Sequence, residues 1–186
     1  KKLGEEATEI VIAAKNPNPN EVKYEIADFL YHMMVLMAEK GVTWEEITDE
    51  LIQVVKEEEK ICHYLDMPIQ HANDTILKRM GRRTTKAQLM ETVRKLREEI
   101  PDIALRTTLI SGFPGETDED HEELMAFVDE MEFDRLGVFA YSAEEDTPAA
   151  SFPDQIPQEI RESRRDEIME LQQEIAFEKC ESKVGA

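Results

Sequence analysis

The stretch Arg106-Thr107-Thr108-Leu109-Ile110-Ser111-Gly112-Phe113-Pro114-Gly115-Glu116-Thr117 decides the fold. Its β-branched run lies between apolar residues, which predicts a strand covered on both faces. Gly112 and Gly115 allow a tight turn and a close approach to a ligand, and Thr117 predicts a helix that begins at Asp118. A ligand at the carboxyl end of this strand would meet free backbone N–H groups and the positive end of the helix. The turn is not a phosphate loop of nucleotide triphosphatases, because no Lys follows the second Gly.

Composition excludes several classes of partner. The 186 residues carry a formal net charge of −20, which repels phosphates and argues against nucleic acid. The basic residues at 78–79 and 82–83 form a patch too small to reverse that argument. No apolar run approaches the roughly 20 residues that span a bilayer, so no membrane partner is expected. Two isolated cysteines, Cys62 and Cys180, favour the reducing cytoplasm. The chain opens in a helical pattern at Lys1, which indicates a fragment.

The first third of the chain has the spacing of helices only. Glu6 and Glu9 lie three residues apart and share a helical face, and Glu25 and Asp28 do the same on the next helix. A short Asn/Pro turn at 16–20 predicts that the two helices are antiparallel neighbours. The four carboxylates could then converge on Mg²⁺ or Mn²⁺, which prefer oxygen ligands. The alternative is a solvated acidic face in a chain with 42 acidic residues.

This segment, residues 1–53, resembles phosphoribosyl-ATP pyrophosphohydrolase of histidine biosynthesis. The residues that carry the resemblance are Lys2-Leu3-Gly4-Glu5-Glu6-Ala7-Thr8-Glu9, Val11-Ile12-Ala13-Ala14-Lys15, Glu25-Ile26-Ala27-Asp28-Phe29-Leu30-Tyr31-His32 and Gly41-Val42-Thr43-Trp44-Glu45-Glu46. The resemblance implies that Mg²⁺, which assists water attack on a pyrophosphate bond, is held by Glu6, Glu9, Glu25 and Asp28. It also implies a homo-oligomer in which helices from two chains complete one bundle. The family's opening helix has no counterpart here.

From Val54 onward, strands alternate with helices. Strands are predicted at 61–67, in the stretch before Gly112 and at 135–141. Helices are predicted at about 74–80, 85–100, 118–131 and 158–179. This alternation predicts βαβ units and a three-stranded parallel sheet, hence an α/β fold preceded by an all-α segment. The predicted segments are 1–53 (helical), 54–157 (α/β) and 158–186 (a C-terminal helix).

The larger part resembles radical-SAM methylthiotransferases of the RimO type, which modify an aspartate of a ribosomal protein. The residues that carry the resemblance are Tyr64-Leu65-Asp66-Met67-Pro68-Ile69-Gln70-His71, Leu77-Lys78-Arg79-Met80-Gly81-Arg82, the stretch Arg106–Thr117, Phe133-Asp134-Arg135-Leu136-Gly137-Val138-Phe139-Ala140-Tyr141-Ser142, Thr147-Pro148-Ala149-Ala150 and Leu171-Gln172-Gln173-Glu174-Ile175. The resemblance implies that the three strands are half of a six-stranded partial (β/α)6 barrel, and that the ribosomal protein is the partner. The residues it places on the S-adenosylmethionine side are Gln70, His71, Gly112, Phe113, Gly115, Glu116, Tyr141 and Ser142. Each of them also has a structural interpretation, as a turn former, a helix-start residue or strand-end packing.

One departure from this family bears on the chemistry. The resemblance implies a [4Fe–4S] cluster on three thiolates in a Cys-x3-Cys-x2-Cys loop, and this sequence has two isolated cysteines. Without the cluster no electron source cleaves S-adenosylmethionine, so this part is expected to be inactive. In addition, Asp146 stands where the family usually has Gly, and Asp is the costlier residue if that position needs a positive φ.

The two resemblances predict a fusion of two partial enzymes, with a seam near residues 51–56. Three hypotheses remain open. The helical segment is a Mg²⁺-dependent nucleotide pyrophosphatase, or the larger part is a non-catalytic module that binds S-adenosylmethionine or the ribosomal protein, or both parts lack function. For the chain as it stands, we rank highest the hypothesis that both parts lack function. We assign the family from the larger part.

Overall fold

The computed structural model describes residues 1–16, 18–182 and 184, with all their side chains except those of Trp44 and Glu45. Two compact units divide the chain, Lys1–Val54 and Val55–Ala186. Within the described residues there are seven α-helices and three strands. In chain order they are α1 Lys2–Ala13, α2 Pro19–Lys40, α3 Trp44–Glu57, β1 Tyr64–Asp66, α4 Asp74–Arg79, α5 Lys86–Glu99, β2 Ala104–Ser111, α6 Asp118–Met131, β3 Arg135–Ala140 and α7 Gln158–Ser182. The predicted α/β class is confirmed.

The first unit is helical, as predicted. The side chain of Asn18 accepts a hydrogen bond from the Asn20 amide and caps α2, which ends at Gly41 with φ of 70°. Thr43 and Glu46 form the predicted capping box at the start of α3. The predicted end of α3 is near Leu51, whereas the helix continues to Glu57. Pro17, in the predicted Asn/Pro turn, lies outside the described residues.

The second unit contains a parallel sheet with strand order β1-β2-β3. Its strands alternate between two faces. Leu105, Thr107 and Leu109 are buried, whereas Arg106 is exposed. The prediction of a central strand covered on both faces is therefore wrong. Helices cover one face, and α7 packs against β2 and β3 while α6 packs against α7.

The core of the second unit lies between the covered face of the sheet and its helices. Fully buried apolar side chains come from every layer: Leu77, Val93, Leu105, Leu109, Leu124, Phe127, Phe133 and Ile168. The opposite face is open, and Phe139 there is 65% exposed. This arrangement is that of part of a barrel, whose strands keep one face toward the helices and one toward the interior.

Strand β1 is shorter than predicted. The ladder covers Tyr64–Asp66 rather than 61–67, and Pro68, which has no N–H to donate, interrupts it at the carboxyl end. An isolated bridge between Gln70 and Leu109 resumes the pairing beyond Pro68.

Gly112 follows β2 directly and lies against Arg161 of α7. Its φ is 73°, and a Cβ built on it would lie 2.2 Å from Cγ of Arg161. Only glycine meets both the left-handed backbone and this close contact without strain. No helix among the described residues combines the length and apolar character needed to cross a bilayer.

We expect Gly112→Ala to lower the free energy of unfolding by about 2 kcal/mol or more, because the added methyl strains the backbone and collides with Arg161. Urea unfolding followed by circular dichroism measures the loss. Gly137→Ala is the matched control, since its Cβ would meet nothing within 4 Å. Equal stabilities of the two variants would contradict this account of the turn.

Candidate functional site

The predicted site residues follow the carboxyl ends of the three strands. Gln70 comes after β1, Gly112 begins the turn after β2, and Tyr141 follows β3. Backbone bonds hold these ends together. The Ile110 amide donates to the Gln70 carbonyl at 2.8 Å, and the Tyr141 amide donates to the Ser111 carbonyl at 2.8 Å. Parallel pairing therefore brings the predicted residues to one edge of the sheet.

The carboxylate of Glu116 organises this edge. Glu116 is 4% exposed, and its Oε2 accepts hydrogen bonds from the amides of Gly112 at 2.8 Å and Phe113 at 3.2 Å. Arg164 of α7 donates to Oε1 at 2.9 Å and to the Glu116 carbonyl at 3.1 Å, and also pairs with Asp118. One side chain thus joins the turn after β2 to the last helix.

These contacts correct one expectation. Free backbone N–H groups were predicted at the carboxyl end of β2, but the amides of Gly112 and Phe113 there both donate to Glu116. The Thr117 amide donates to Asp120, whose own amide donates back to Thr117 in a capping box. The carboxylate of Glu116 therefore occupies the position where a ligand was expected. The Gly112 and Phe113 amides are not available as hydrogen-bond donors to a ligand.

His71 is buried beside this carboxylate. Its Nδ1 accepts a hydrogen bond from the Asn73 amide at 2.9 Å, so the proton of the neutral ring lies on Nε2. Nε2 is 3.3 Å from Oε2 of Glu116. His71 thus adds the loop after β1 to the same network.

The surroundings of Glu116 favour its ionised form. Burial raises the pKa of this carboxyl, but the His71 imidazole, the charge of Arg164 and the Gly112 amide outweigh burial, so the pKa lies below its ordinary value. Glu116 therefore remains an anion at neutral pH, and its charge serves the fold.

Two cavities lie at this edge. The larger, which we call the edge cavity, has a volume of about 540 Å³ and is lined by residues from four connecting segments, including Gln70, Arg82, Phe113, Pro148 and Phe152. The smaller, of about 330 Å³, is lined by Tyr141, Ser142 and Arg161. The ring of Phe113 stands edge-on between those of Tyr141 and Phe152, with centroids 5.2 Å and 6.2 Å apart. Predicted site residues therefore line both cavities.

Two arginines of α7, Arg161 and Arg164, were not among the predicted site residues. Arg161 donates to the Tyr141 carbonyl and lies over that ring, and Arg164 holds Glu116. The available signal was their position: the two arginines lie three residues apart near the start of a helix, in a chain that is otherwise acidic. Asp146, in the loop after β3, has φ of 65°, so the position does need a positive φ.

Polar atoms at this edge fit a polar cofactor such as S-adenosylmethionine. Five of them are buried without a hydrogen-bond partner among the described residues: Ser111 Oγ, Tyr141 Oη, Arg161 Nε, Arg79 Nε and His71 Nε2, the last at ion-pair distance from Glu116. Buried polar groups normally have partners, so these atoms point to a ligand or to water. An iron–sulfur cluster does not fit. Cys62 and Cys180 are the only cysteines, both are exposed, and two thiols cannot supply three thiolates.

In the first unit, three of the four predicted metal ligands converge. Glu6, Glu25 and Asp28 each place a carboxylate oxygen within 4.8 Å of the others. Lys2 donates to Glu6 at 2.8 Å and lowers its pKa. Glu9 lies beside this group rather than within it. Burial, followed by the charges of Glu6 and Glu25, raises the pKa of Glu9.

We expect Glu116→Gln to lower the free energy of unfolding at neutral pH by about 3 kcal/mol, because Arg164 loses its buried partner. The folded-state pKa of Glu116 is depressed, so its contribution is present above the ordinary value of 4.5 and is lost as the pH falls through the folded value. Urea unfolding of both proteins across this range should therefore give a difference that shrinks in acid. Glu119→Gln, exposed in the first turn of α6 just after this loop, is the control, and a pH-independent difference would contradict the role of the charge.

Comparisons with known proteins agree with the fold of the second unit. A family model described as the radical SAM superfamily matches residues 5–128. The ribosomal protein uS12 methylthiotransferase RimO of Lachnoclostridium phytofermentans is 61% identical over 158 residues, which cover 81% of this chain and 36% of that protein. The proteins of the same name from Desulfitobacterium hafniense and Geobacter sulfurreducens are 52% and 53% identical, over 78% and 77% of this chain and 35% and 34% of theirs. The chain thus spans about a third of the length of these relatives.

The same comparisons do not support the resemblance of the first segment to the pyrophosphohydrolase. The family model begins at residue 5, within α1. Residues 54–186 make up less than three quarters of the chain, so a match over 81% of it also reaches into the first unit. The family model covers more than half of the sequence, and the three-stranded parallel sheet agrees with it. The chain therefore belongs to the radical SAM superfamily.

Proposed function

We propose that this chain supplies the carboxyl-terminal half of the cofactor-binding barrel of a radical-SAM methylthiotransferase that acts on ribosomal protein uS12. The half barrel would comprise residues 54–157, and residues 158–186 would form its closing helix. The observation that carries the proposal is the convergence of Gln70, the Gly112–Glu116 turn and Tyr141 at the carboxyl edge of a parallel sheet. Ligands of open α/β sheets bind at this edge.

S-adenosylmethionine would bind in the edge cavity. A volume of about 540 Å³ suits a small cofactor. The apolar wall around Phe113 and Phe152 would contact the adenine. The side-chain amide of Gln70 would offer one hydrogen-bond donor and one acceptor to the polar groups of the cofactor. Glu116 and His71 would act as positioning residues, because both are buried and turned to each other.

The chain would not cleave S-adenosylmethionine alone. When bound, a [4Fe–4S] cluster supplies the electron for that cleavage, and the residues of this sequence cannot hold one. Its thiolates would have to come from another segment of polypeptide. The free cysteines agree with a reducing compartment, and we place the protein in the cytoplasm.

We expect Gln70→Ala to weaken S-adenosylmethionine binding about fivefold, since one lost hydrogen bond contributes about 1 kcal/mol. Isothermal titration of the whole chain measures the affinity. The backbone bonds of Gln70 remain in the variant, so its fold should persist. Gln173→Ala, exposed on α7, is the control.

Two outcomes would overturn the proposal. One is an absence of binding at millimolar cofactor, and the other is equal affinity of both variants. Reconstitution with iron and sulfide is a further check. A coloured cluster on this chain would contradict the proposal that another segment of polypeptide supplies the thiolates.

A second candidate function rests on the first unit. The three oxygens of Glu6, Glu25 and Asp28, within 4.8 Å of one another, could hold Mg²⁺. Such a site would serve a nucleotide pyrophosphatase that acts on phosphoribosyl-ATP. We treat it as second because the comparisons lend it no support, and exposed acidic groups often converge without an ion.

This candidate would involve a second copy of the chain. Helix α2 keeps several large apolar side chains exposed, and a large exposed apolar patch marks an interaction surface. Its large exposed side chains are Tyr24, Ile26, Leu30, Tyr31, Met34, Val35 and Leu36. A standard interface takes about 800 Å² from each partner, and one tyrosine buries about 150–250 Å². The exposed side chains therefore suffice for a dimer in which two helical units complete one bundle.

We expect Mg²⁺ to bind the whole chain, and Asp28→Asn to weaken binding about tenfold or more, because one of three carboxylates is lost. Isothermal titration with Mg²⁺ measures both affinities, with Glu39→Gln on the same helix as the control. Pyrophosphate release from phosphoribosyl-ATP and sedimentation equilibrium complete the test. Equal Mg²⁺ affinities, or a monomer that releases no pyrophosphate, would end this candidate.

A further inference from the structure

The outer edge of β3 has no neighbouring strand among the residues that the structure describes. The strand order is β1-β2-β3, so β3 pairs with β2 alone. The Tyr141 amide, just beyond β3, donates to the Ser111 carbonyl of β2, and the backbone groups of successive strand residues point to opposite sides. The N–H and C=O groups of Leu136 and Val138 therefore point away from β2, toward the free edge.

A groove of about 510 Å³ lies beside this edge, between the start of β3 and α7. We call it the β3 groove. Its lining includes Leu136 from the strand and one face of α7, whose residues recur at intervals of three and four: Asp166, Met169, Glu170, Gln172 and Ala176. None of the described lining residues belongs to β2, which places the groove on the free side of β3. One wall is thus strand backbone, and the other is a helix face.

Gln172 lines this groove with one polar atom unused. The residue is 4% exposed, and its Nε2 donates to the Phe133 carbonyl at 2.8 Å. Its Oε1 is buried without a hydrogen-bond partner among the described residues. Buried polar groups normally have partners, and an amide oxygen accepts hydrogen bonds. The partner that is missing here is therefore a donor such as an N–H group.

The α7 wall of the groove is acidic. Asp166 and Glu170 are both exposed there. Asp166 pairs with Arg165 at 2.7 Å, whereas Glu170 has no ion pair among the described residues. Arg135, also in the lining, donates to the backbone carbonyl before it at 3.2 Å. Met169, which is 40% exposed, adds an apolar surface. This wall, in a chain with a net charge of −20, favours a ligand with basic and apolar side chains.

The backbone wall defines the class of ligand further. Free N–H and C=O groups at a sheet edge are satisfied by an extended peptide that pairs with them, and neighbouring side-chain pockets then select its residues. Such a peptide carries the N–H donors that Gln172 calls for. A nucleic acid would instead be repelled by the charge of the chain.

We propose that the β3 groove binds an extended, basic segment of a partner polypeptide, which adds to the sheet as a strand along β3. The segment pairs with the free backbone groups of Leu136 and Val138, and one of its basic side chains pairs with Glu170. The groove lies at the amino end of β3, whereas the predicted cofactor residues lie beyond its carboxyl end. The inference is therefore independent of the proposed function.

The test uses the whole chain and a short, fluorescently labelled peptide of alternating lysine and valine. Fluorescence anisotropy measures its Kd. Glu170→Lys should raise the Kd about fivefold or more, because attraction becomes repulsion at the groove wall. Glu174→Lys makes the same change of charge one turn further along α7, at an exposed position outside the groove lining. It should change the Kd less than about twofold.

Strand pairing has its own readout. Two further peptides of the same sequence are N-methylated at alternate residues, one at the lysines and the other at the valines. Only one of these sets lies on the paired edge of the peptide, so one methylated peptide should bind about tenfold more weakly than the other. Hydrogen exchange at the Leu136 and Val138 amides should slow when the unmodified peptide is bound.

Four results would overturn the proposal. They are no binding of the unmodified peptide at millimolar concentration, equal effects of Glu170→Lys and Glu174→Lys, equal binding of the two methylated peptides, and unchanged exchange at Leu136 and Val138. Titration of both variants with S-adenosylmethionine checks that the two sites are separate. Their cofactor affinities should be equal, and a loss confined to Glu170→Lys would contradict the independence of the groove.

Discussion

The buried carboxylate of Glu116 is the constraint on which the carboxyl edge of the sheet depends. It accepts hydrogen bonds from two backbone amides of the turn after β2 and from Arg164 of α7, and it lies 3.3 Å from Nε2 of His71. A buried anion is costly unless it is paired and hydrogen-bonded. Because these partners come from three separate segments, satisfying this one charge fixes their relative positions.

The constraint also determines what the edge can do. The amides that a ligand would use are taken by Glu116, so a cofactor here must be recognised by the cavity walls and the polar atoms around them. Ser111 Oγ and Tyr141 Oη are buried without a partner among the described residues. A ligand at this edge would therefore meet groups beside the glycine-rich turn rather than the Gly112 and Phe113 amides.

Helices of this chain cover one face of the sheet and leave the other face open. The register aligns Arg106 with Arg135 and Ile110 with Phe139 on the open face, where Arg106 pairs with Asp66 at 2.6 Å. The relatives are about three times as long as this chain, and a barrel closes only when its remaining strands pair with the edges. Exposed residues such as Tyr64 and Phe139 mark the face that a closed barrel would enclose.

The sequence by itself determined the order and kind of the elements, because hydrophobic periodicity and capping residues are local signals. Helix α6 begins after the predicted cap Thr117, and the strands lie where alternation placed them. It also determined that no three thiolates are available, since that is a matter of composition. Residues at the strand ends could be predicted together, because parallel strands carry their carboxyl ends to one edge.

Only the tertiary structure decided which groups remain free for chemistry. Glu116 is separated from Arg164 by 48 positions and Arg79 from Asp154 by 75, and no local pattern pairs them. That only one face of β2 is covered could not be predicted from its composition. Thr107 and Thr108 are the same type of residue, but Thr107 is buried and Thr108 is only half-buried, because different groups pack against the two faces. Burial and long-range pairing depend on the whole chain, so they distinguish a structural carboxylate such as Glu116 from a cation such as Arg82, which has no ion pair among the described residues.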